Sequence, residues 1–430
     1  MRSPQPGAPD TPARGLTKAP ARGSDTGDRA VEVHSRDARL SRGFSGTNLE
    51  RAGDYNLRTV LQAIRCHGET TRIALANQTG LTPPTIANIT GRLIEMGMIR
   101  TAGRLHRGRG QPALRIEICP DGAFAIGLTI DRDHLAIAIL DLSGTVRARA
   151  TREIAFPSPD DVTAFIHDTL EPALAEGQVD RSRVIGVGIA MPDGVDRSLP
   201  NQTRGYDAWI GVDPEALLAP LLPWPIHRDN DAAAAALGEA QYDHDFDCPS
   251  FFYLLITAGL GGGLVVDRTY HRGAHRRSGE IGLMPDATAR RPGAIVQDTV
   301  SLAGLQVRLA AAGYTLDSPE TLGDQDDPML CAVLDRWIVD SIASLVQPFV
   351  AVTTLFDPDA ILIGGRLPIW LLDRLAKGLD QALAEIELPV RPAIRPARRA
   401  HDAPAIGAAM LPFMDQLLPS DSILVQAGRG

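Results

Sequence analysis

The sequence predicts an α/β protein built in two parts, a small helical head ending in a β-hairpin and a larger body whose two lobes flank a cleft. Three observations lead there. Apolar residues recur at helical spacing in three short blocks between Leu57 and Ile94. An arginine- and glycine-rich stretch bounded by strand patterns follows them, from Arg100 to Ile118. From Ala125 onward, strand-like and helix-like runs alternate almost to the C-terminus, the pattern of layered α/β folds.

The head reads as a winged helix-turn-helix. Asn56 is placed to cap a first helix whose apolar positions Leu57, Val60, Leu61 and Ile64 lie on one face, ending near His67-Gly68. Thr71 caps a short second helix that offers Ile73, Leu75 and Ala76 to the core, and Gly80 closes it where a sharp turn needs a left-handed residue. Thr82 is the next cap, with Pro83 at a first helical position that tolerates a missing N–H. In this third helix Ile86, Ile89, Leu93 and Ile94 point inward, leaving Pro84, Thr85, Asn88 and Arg92 outside. Asn88 has the donor–acceptor pair that matches adenine, Thr85 suits a base or phosphate, and Arg92 suits phosphate. Arg104, Arg107, Arg109 and Gln111 lie on the glycine-rich wing, where arginines fit a narrow, electronegative minor groove. Sequence-specific binding of a double-stranded DNA operator is the expectation.

Charge supports that expectation. Residues 1–120 hold 18 Lys and Arg against 10 Asp and Glu; the whole chain holds 43 and 52, so residues 121–430 carry 25 against 42. The front is therefore +8 and the rest −17, an asymmetry that turns the front toward nucleic acid. Cys66, Cys119, Cys248 and Cys331 are scattered, which indicates neither a disulfide framework nor a cysteine zinc cluster. Residues 1–53 mix Pro, Gly, Ser, Arg and Asp without a continuous apolar core, so a disordered tail is expected rather than a secretion signal. The apolar run Phe251–Val266 is too short to span a membrane and is broken by Gly259, Gly261, Gly262 and Gly263. These features predict a cytoplasmic protein of three segments: tail 1–53, head 54–120 and body 121–430.

In the body, Ala125–Ile130, Leu135–Leu140 and Thr145–Ile154 form a meander of three strands, followed by a helix over Asp160–Gly177 and a strand at Val184–Ala190. A helix near Pro214–Leu222 and a short strand before Asp229 come next. Phe251–Thr257 and Gly263–Val266 pair across a glycine turn. Helices over Thr299–Ala312 and Asp327–Val350, a strand at Ala360–Gly364, and helices over Leu367–Leu383 and Ala405–Leu417 complete the chain.

Seven stretches, in one order, carry a resemblance: Gly186-Val-Gly-Ile-Ala-Met-Pro-Asp-Gly-Val-Asp196; Pro200-Asn201 with Trp209; Asp229-Asn-Asp231 through Glu239; Thr257-Ala-Gly-Leu-Gly-Gly-Gly263; Arg272-Gly-Ala274; Ser278-Gly-Glu-Ile-Gly282; and Leu355 through Gly365. Head and body together, over about residues 54–415, resemble the transcriptional regulators of the ROK family of repressors, open reading frames and sugar kinases. The resemblance implies a duplicated, two-lobed actin-like ATPase or ribonuclease H-like body. Enzymes of the family open the body with Gly-Ile-Asp-Ile-Gly-Gly-Thr, a phosphate loop whose Asp helps hold magnesium. The equivalent here is Gly127-Leu-Thr-Ile-Asp-Arg-Asp133, with Thr129 at the magnesium carboxylate and Asp131, Arg132 and Asp133 where Gly-Gly-Thr would stand. Two added negative charges and lost backbone access work against a triphosphate. Arg366 after Gly364-Gly365 likewise replaces a common glycine.

The sugar half is better kept. Asp231 falls at the position of the kinase base, and Asn201, Asn230 and Glu280 fall at other sugar-contact positions, although Asn201 could cap a turn and Glu280 could pair with Arg276 or Arg277. Relatives that hold zinc have a histidine after Gly-Glu-Ile-Gly and then a cysteine cluster; Leu283 stands here, and Met284–Gly304 contains no cysteine or histidine. No metal and no cofactor are expected. The expected ligand is a sugar, with a sugar phosphate or another polyol as alternatives.

The expected function is a DNA-binding regulator, a repressor of carbohydrate genes, acting as a homodimer or homotetramer and answering to a sugar-type effector in a non-catalytic cleft. The alternative from another class is a ROK-type sugar kinase, phosphorylating hexoses with ATP, that has gained a DNA-binding head.

Overall fold

The computed structural model describes residues 49–105, 113–192, 204–242, 248–316, 318–319, 322, 327–398 and 402–419. The head consists of α1 (Leu49–His67), β1 (Thr70–Thr71), α2 (Arg72–Thr79), α3 (Pro83–Glu95), β2 (Ile99–Leu105) and β3 (Ala113–Ile118), with its strands in the order β1-β3-β2. Thr71 caps α2 as expected, its Oγ1 accepting from the Ala74 N–H at 3.2 Å, and Gly80 ends α2 at φ +70°. Leu57, Val60, Leu61, Ile64, Leu75, Ile86, Ile89 and Leu93 are all buried.

Four details of the head depart from the sequence reading. Helix α1 starts at Leu49, so Asn56 lies inside it; the Asp54–Arg58 ion pair at 3.0 Å spans the supposed boundary and continues the helix. Ile73 is 70% exposed, because α2 turns Leu75 inward and a residue two positions away points elsewhere. Ile94 is exposed beside the fully buried Leu93 in the last turn of α3, because the next residue round the helix points away from the side that the core-facing Leu93 occupies. Thr82 holds the cap position of α3 without capping it, since its hydroxyl bonds to Thr85 Oγ1 at 2.8 Å.

The body has two five-stranded sheets of one topology. The first lobe contains β4 (Phe124–Ile130), β5 (His134–Asp141), β6 (Val146–Glu153), α4 (Pro159–Glu176), β7 (Val184–Ala190), α5 (Pro214–Leu218), β8 (Ile226–Asp229) and then α6 (Asp231–Tyr242), with strand order β6-β5-β4-β7-β8. The second contains β9 (Phe251–Ile256), β10 (Leu260–Val266), β11 (Thr269–Tyr270), α7 (Val296–Val300), α8 (Leu302–Ala311), α9 (Pro328–Phe356), β12 (Ala360–Gly365), α10 (Ile369–Ala384), β13 (Ala393–Pro396) and α11 (Ala403–Gln416), with strand order β11-β10-β9-β12-β13. In each sheet three antiparallel strands are extended by two parallel ones. This repetition is the duplicated lobe that the resemblance implies.

The helix that ends each repeat crosses to the other sheet: α6 packs on β9 and β10, and α11 packs on β4 and β7. Glycines seat both. A Cβ on Gly127 or Gly188 would lie 1.8 Å from a carbonyl of α11, and one on Gly407 would lie 1.6 Å from Ala234 O of α6. The glycine run expected as a turn is strand β10, where Cβ atoms on Gly261 and Gly263 would strike Ala232 and Ala236 of α6. The expected helix over Thr299–Ala312 breaks at Ser301, which caps α8. Helix α9 is long and apolar enough to cross a membrane by length and composition. Its Leu334, Trp337, Leu345 and Phe349 are buried in the second lobe's core.

Candidate functional site

In the head, α2 and α3 are fixed to each other by the Arg72 Nε–H donating to Thr90 Oγ1 at 2.9 Å, with Thr90 fully buried. That bond went unpredicted, because a threonine among apolar positions gives no sign of its partner. It leaves Pro84, Asn88 and Arg92 exposed on α3, while Thr85 is half-buried and tied to Thr82. The strand pair of the wing is anchored by Arg100 to Glu117 at 2.7 Å, and β3 is tied to the turn before β1 by Arg115 to Glu69 at 2.6 Å. Arg104 lies in β2 beyond a bulge, and its side chain is outside the described residues. Arg107, Arg109 and Gln111 also lie outside them.

The head is seated on the body. Arg65, buried in α1, donates from Nε to Leu142 O at 3.3 Å and from Nη2 to Met410 Sδ at 3.7 Å, and Arg58 donates to Asp415 O at 2.6 Å. One hydrophobic cluster runs from Leu57, Val60 and Ile64 of the head to Leu142, Met410 and Phe413 of the body.

In the body, the N-terminus of α6 carries two of the expected ligand residues. Asn230 caps it, its Oδ1 accepting from Ala232 N–H at 2.9 Å and Ala233 N–H at 3.1 Å. Asp231 is 8% exposed and accepts from Ala232 N–H at 2.8 Å, a carboxylate held where the helix dipole favours negative charge. Glu280 pairs with Arg277, which donates from Nη2 at 3.0 Å and Nε at 3.2 Å; the alternative weighed for it from sequence is the observed arrangement. Gly261 meets Ala232, and Gly262 meets Gly279, so residues 230–231 and 279–280 flank the same stretch of β10. Asn201 falls outside the described residues. Asp229, buried beside them, pairs with Arg272 at 2.7 Å and Arg276 at 3.7 Å, a pairing sequence reasoning missed. Its signal was Asp229 and Arg272 standing in two of the motif stretches. The group can bind hydroxyls: carboxylates accept, and amide or guanidinium groups donate.

The altered phosphate-loop turn is also defined. Asp131, Asp133 and His134 bring metal-ligand-type atoms within 4.8 Å of one another. Asp133 is shared between His134 Nδ1 at 2.7 Å and Arg366 Nη1 at 3.2 Å, so an imidazole and a guanidinium of the chain itself meet its carboxylate. Burial pushes the Asp133 carboxyl up, but the His134 bond and the Arg366 charge outweigh it and hold it below the ordinary carboxylate value.

Comparison with known proteins agrees with this architecture. The ROK family pattern matches residues 125–413, and a winged helix-turn-helix DNA-binding pattern matches residues 54–100. The protein y4fQ of Sinorhizobium fredii is 29% identical over 365 residues, covering 83% of this chain and 90% of that protein. The xylose repressor of Bacillus subtilis is 22% identical over 229 residues, covering 53% of this chain and 60% of the repressor. A crystal structure of a ROK family transcriptional regulator, a homologue of the Escherichia coli MLC protein, superposes with a TM-score of 0.62 at 23% identity, covering 87% of this chain and all of that one. With a family match over two-thirds of its length, a duplicated two-lobed body and a winged head, the chain belongs to the ROK family.

Proposed function

We propose that this protein is a DNA-binding transcriptional repressor of carbohydrate genes, controlled by a sugar-type effector bound in a non-catalytic cleft. The observation that carries the reading is the shared core joining head to body, in which α1 packs on α11. Helix α11 packs on α6, and α6 begins at Asn230 and Asp231. A ligand that favours one placement of α6 over another thereby biases the placement of the head, and only such differential binding can shift an equilibrium. The similarity to a xylose repressor supports a sugar as effector.

In this reading the three-part organisation is a tail, a head that begins with α1 at Leu49 rather than at residue 54 and runs to residue 120, and a body over 121–430. Thr85, Asn88, Arg92, Arg104, Arg107, Arg109 and Gln111 face DNA, and Asn201, Asn230, Asp231 and Glu280 face the effector. The protein works in the cytoplasm as a symmetric homodimer or homotetramer, because reading two half-sites needs paired heads. Kinase activity is absent: a general base at Asp231 needs a phosphoryl donor beside the sugar hydroxyl, and the turn that would cradle that phosphate carries Asp131 and Asp133. The test is ATP consumption by the purified protein with a panel of hexoses, together with gel-shift binding to its own upstream DNA. DNA binding without turnover is expected; turnover abolished by Asp231→Asn would establish the kinase instead.

A further inference from the structure

The altered phosphate-loop turn carries charges that the opposite lobe answers. Asp131, Arg132 and Asp133 follow β4 in the first lobe, and Glu153 ends β6 of the same sheet. Arg366 follows β12 in the second lobe and is only 3% exposed. Its Nη1 stands 3.2 Å from Asp133 Oδ2 and donates to Glu153 Oε2 at 3.1 Å, while its Nη2 donates to Glu153 Oε1. A second arginine reaches the other way. A methyl group on Gly259, in the turn between β9 and β10, would stand 2.0 Å from Arg132 Nη1. That turn is itself braced, the Leu260 N–H donating to Gln297 Oε1 at 3.2 Å.

We propose that these two arginines form an interlobe latch: Arg366 of the second lobe grips Asp133 and Glu153 of the first, while Arg132 of the first lobe seats on Gly259 of the second. Charges belonging to the chain itself thus bridge the cleft and hold the spacing of the lobes. A guanidinium fork on two carboxylates is directional as well as strong. The burial of Arg366 removes the water that screens an ordinary surface pair, so losing one partner leaves an uncompensated charge inside the protein. Helix α6 already links the lobes through the chain, and the packing of α6 on β9 and β10 and of α11 on β4 and β7 joins them non-covalently. The latch is a further, polar link, and its residues lie at strand ends, so it can open while both sheets stay intact. It gives physical content to the substitutions at positions 131–133 and 366, which together build a contact in addition to disfavouring a triphosphate.

Hydrogen-exchange mass spectrometry on the full-length protein tests this with neither DNA nor sugar present. In Arg366→Met, amides 131–134 of the first lobe and 257–260 of the second should both exchange about tenfold faster, with α2 and α3 unchanged. Glu153→Gln combined with Asp133→Asn should reproduce the pattern from the other side. Arg366→Lys, which keeps the charge but not the fork, should lose less protection than Arg366→Met. Faster exchange confined to residues 364–370, or acceptor variants that leave 257–260 untouched, would overturn the latch. Should Arg366→Met fail to fold, Glu153→Gln alone decides, since Glu153 is 41% exposed and its loss leaves the core intact.

Discussion

Replacing Gly407 with alanine puts a methyl group where α11 and α6 touch. The new Cβ would lie 1.6 Å from Ala234 O, whereas real Cβ atoms keep at least 3.0 Å from such an atom, so the helices must part by about 1.4 Å along that line. No side chain can move aside, because the obstructing atoms are backbone. Helix α11 is also pinned on its other side, where Gly127 and Gly188 meet Ala405 O and Ala408 O. Overpacking typically costs about 1–3 kcal/mol, and contact between two backbones sets this case near 3. At about 2–4 °C per kcal/mol for a domain of this size, the melting temperature should fall by roughly 6–12 °C. Scanning fluorimetry measures it, with Gly91→Ala as the control. Gly91 lies in α3 with nothing within 4 Å of an added Cβ, so that change should gain up to about 1 kcal/mol of helix propensity and leave melting unchanged or higher. A Gly407→Ala protein melting within about 1 °C of its parent would refute the close α6–α11 seat.

Other consequences concern the head and acid stability. Asn88→Ala should change base preference at one operator position, whereas Arg107→Ala and Arg109→Ala should weaken binding broadly and each reduce the salt slope by about 1; anisotropy titrations at several salt concentrations distinguish these, and three unchanged profiles would remove the DNA assignment. Burial pushes the Asp286 carboxyl up, but hydrogen bonds from Thr288, Thr299 and Ser344 outweigh it and hold its pKa below the ordinary 3.8. A depressed folded pKa contributes stability that is complete above the unfolded value and is lost as pH falls through the folded one. The urea midpoint should therefore be level near neutral pH and drop below about pH 4, with a shallower drop in Asp286→Asn. An equal acid slope in parent and variant would contradict this role for Asp286.

Local signals were legible and distant pairings were not. Thr71 and Gly80 announced the ends of α2 by residue chemistry alone, and β7 could be bounded from its apolar run. Helix α6 escaped notice because Ala232–Ala236 has no periodicity: a helix buried on all sides offers no amphipathic stripe. Strand β10 looked like a turn because glycine usually marks one, yet here its small size lets α6 lie directly on the strand. In the cleft, Asp231 could be placed by motif, while the Arg277–Glu280 pair was visible as a possibility three positions apart. The Arg366–Glu153 pair spans 213 positions, and only the duplicated topology brings its ends together.

The most direct test of the central claim is operator affinity of the purified full-length protein, measured by anisotropy on its own upstream DNA with and without each member of a sugar and sugar-phosphate panel. The account predicts specific binding that at least one ligand shifts about tenfold or more, with the shift lost in Asp231→Ala while DNA binding persists. Specific DNA binding that no ligand alters, or that Asp231→Ala leaves equally responsive, would contradict a cleft that controls the head.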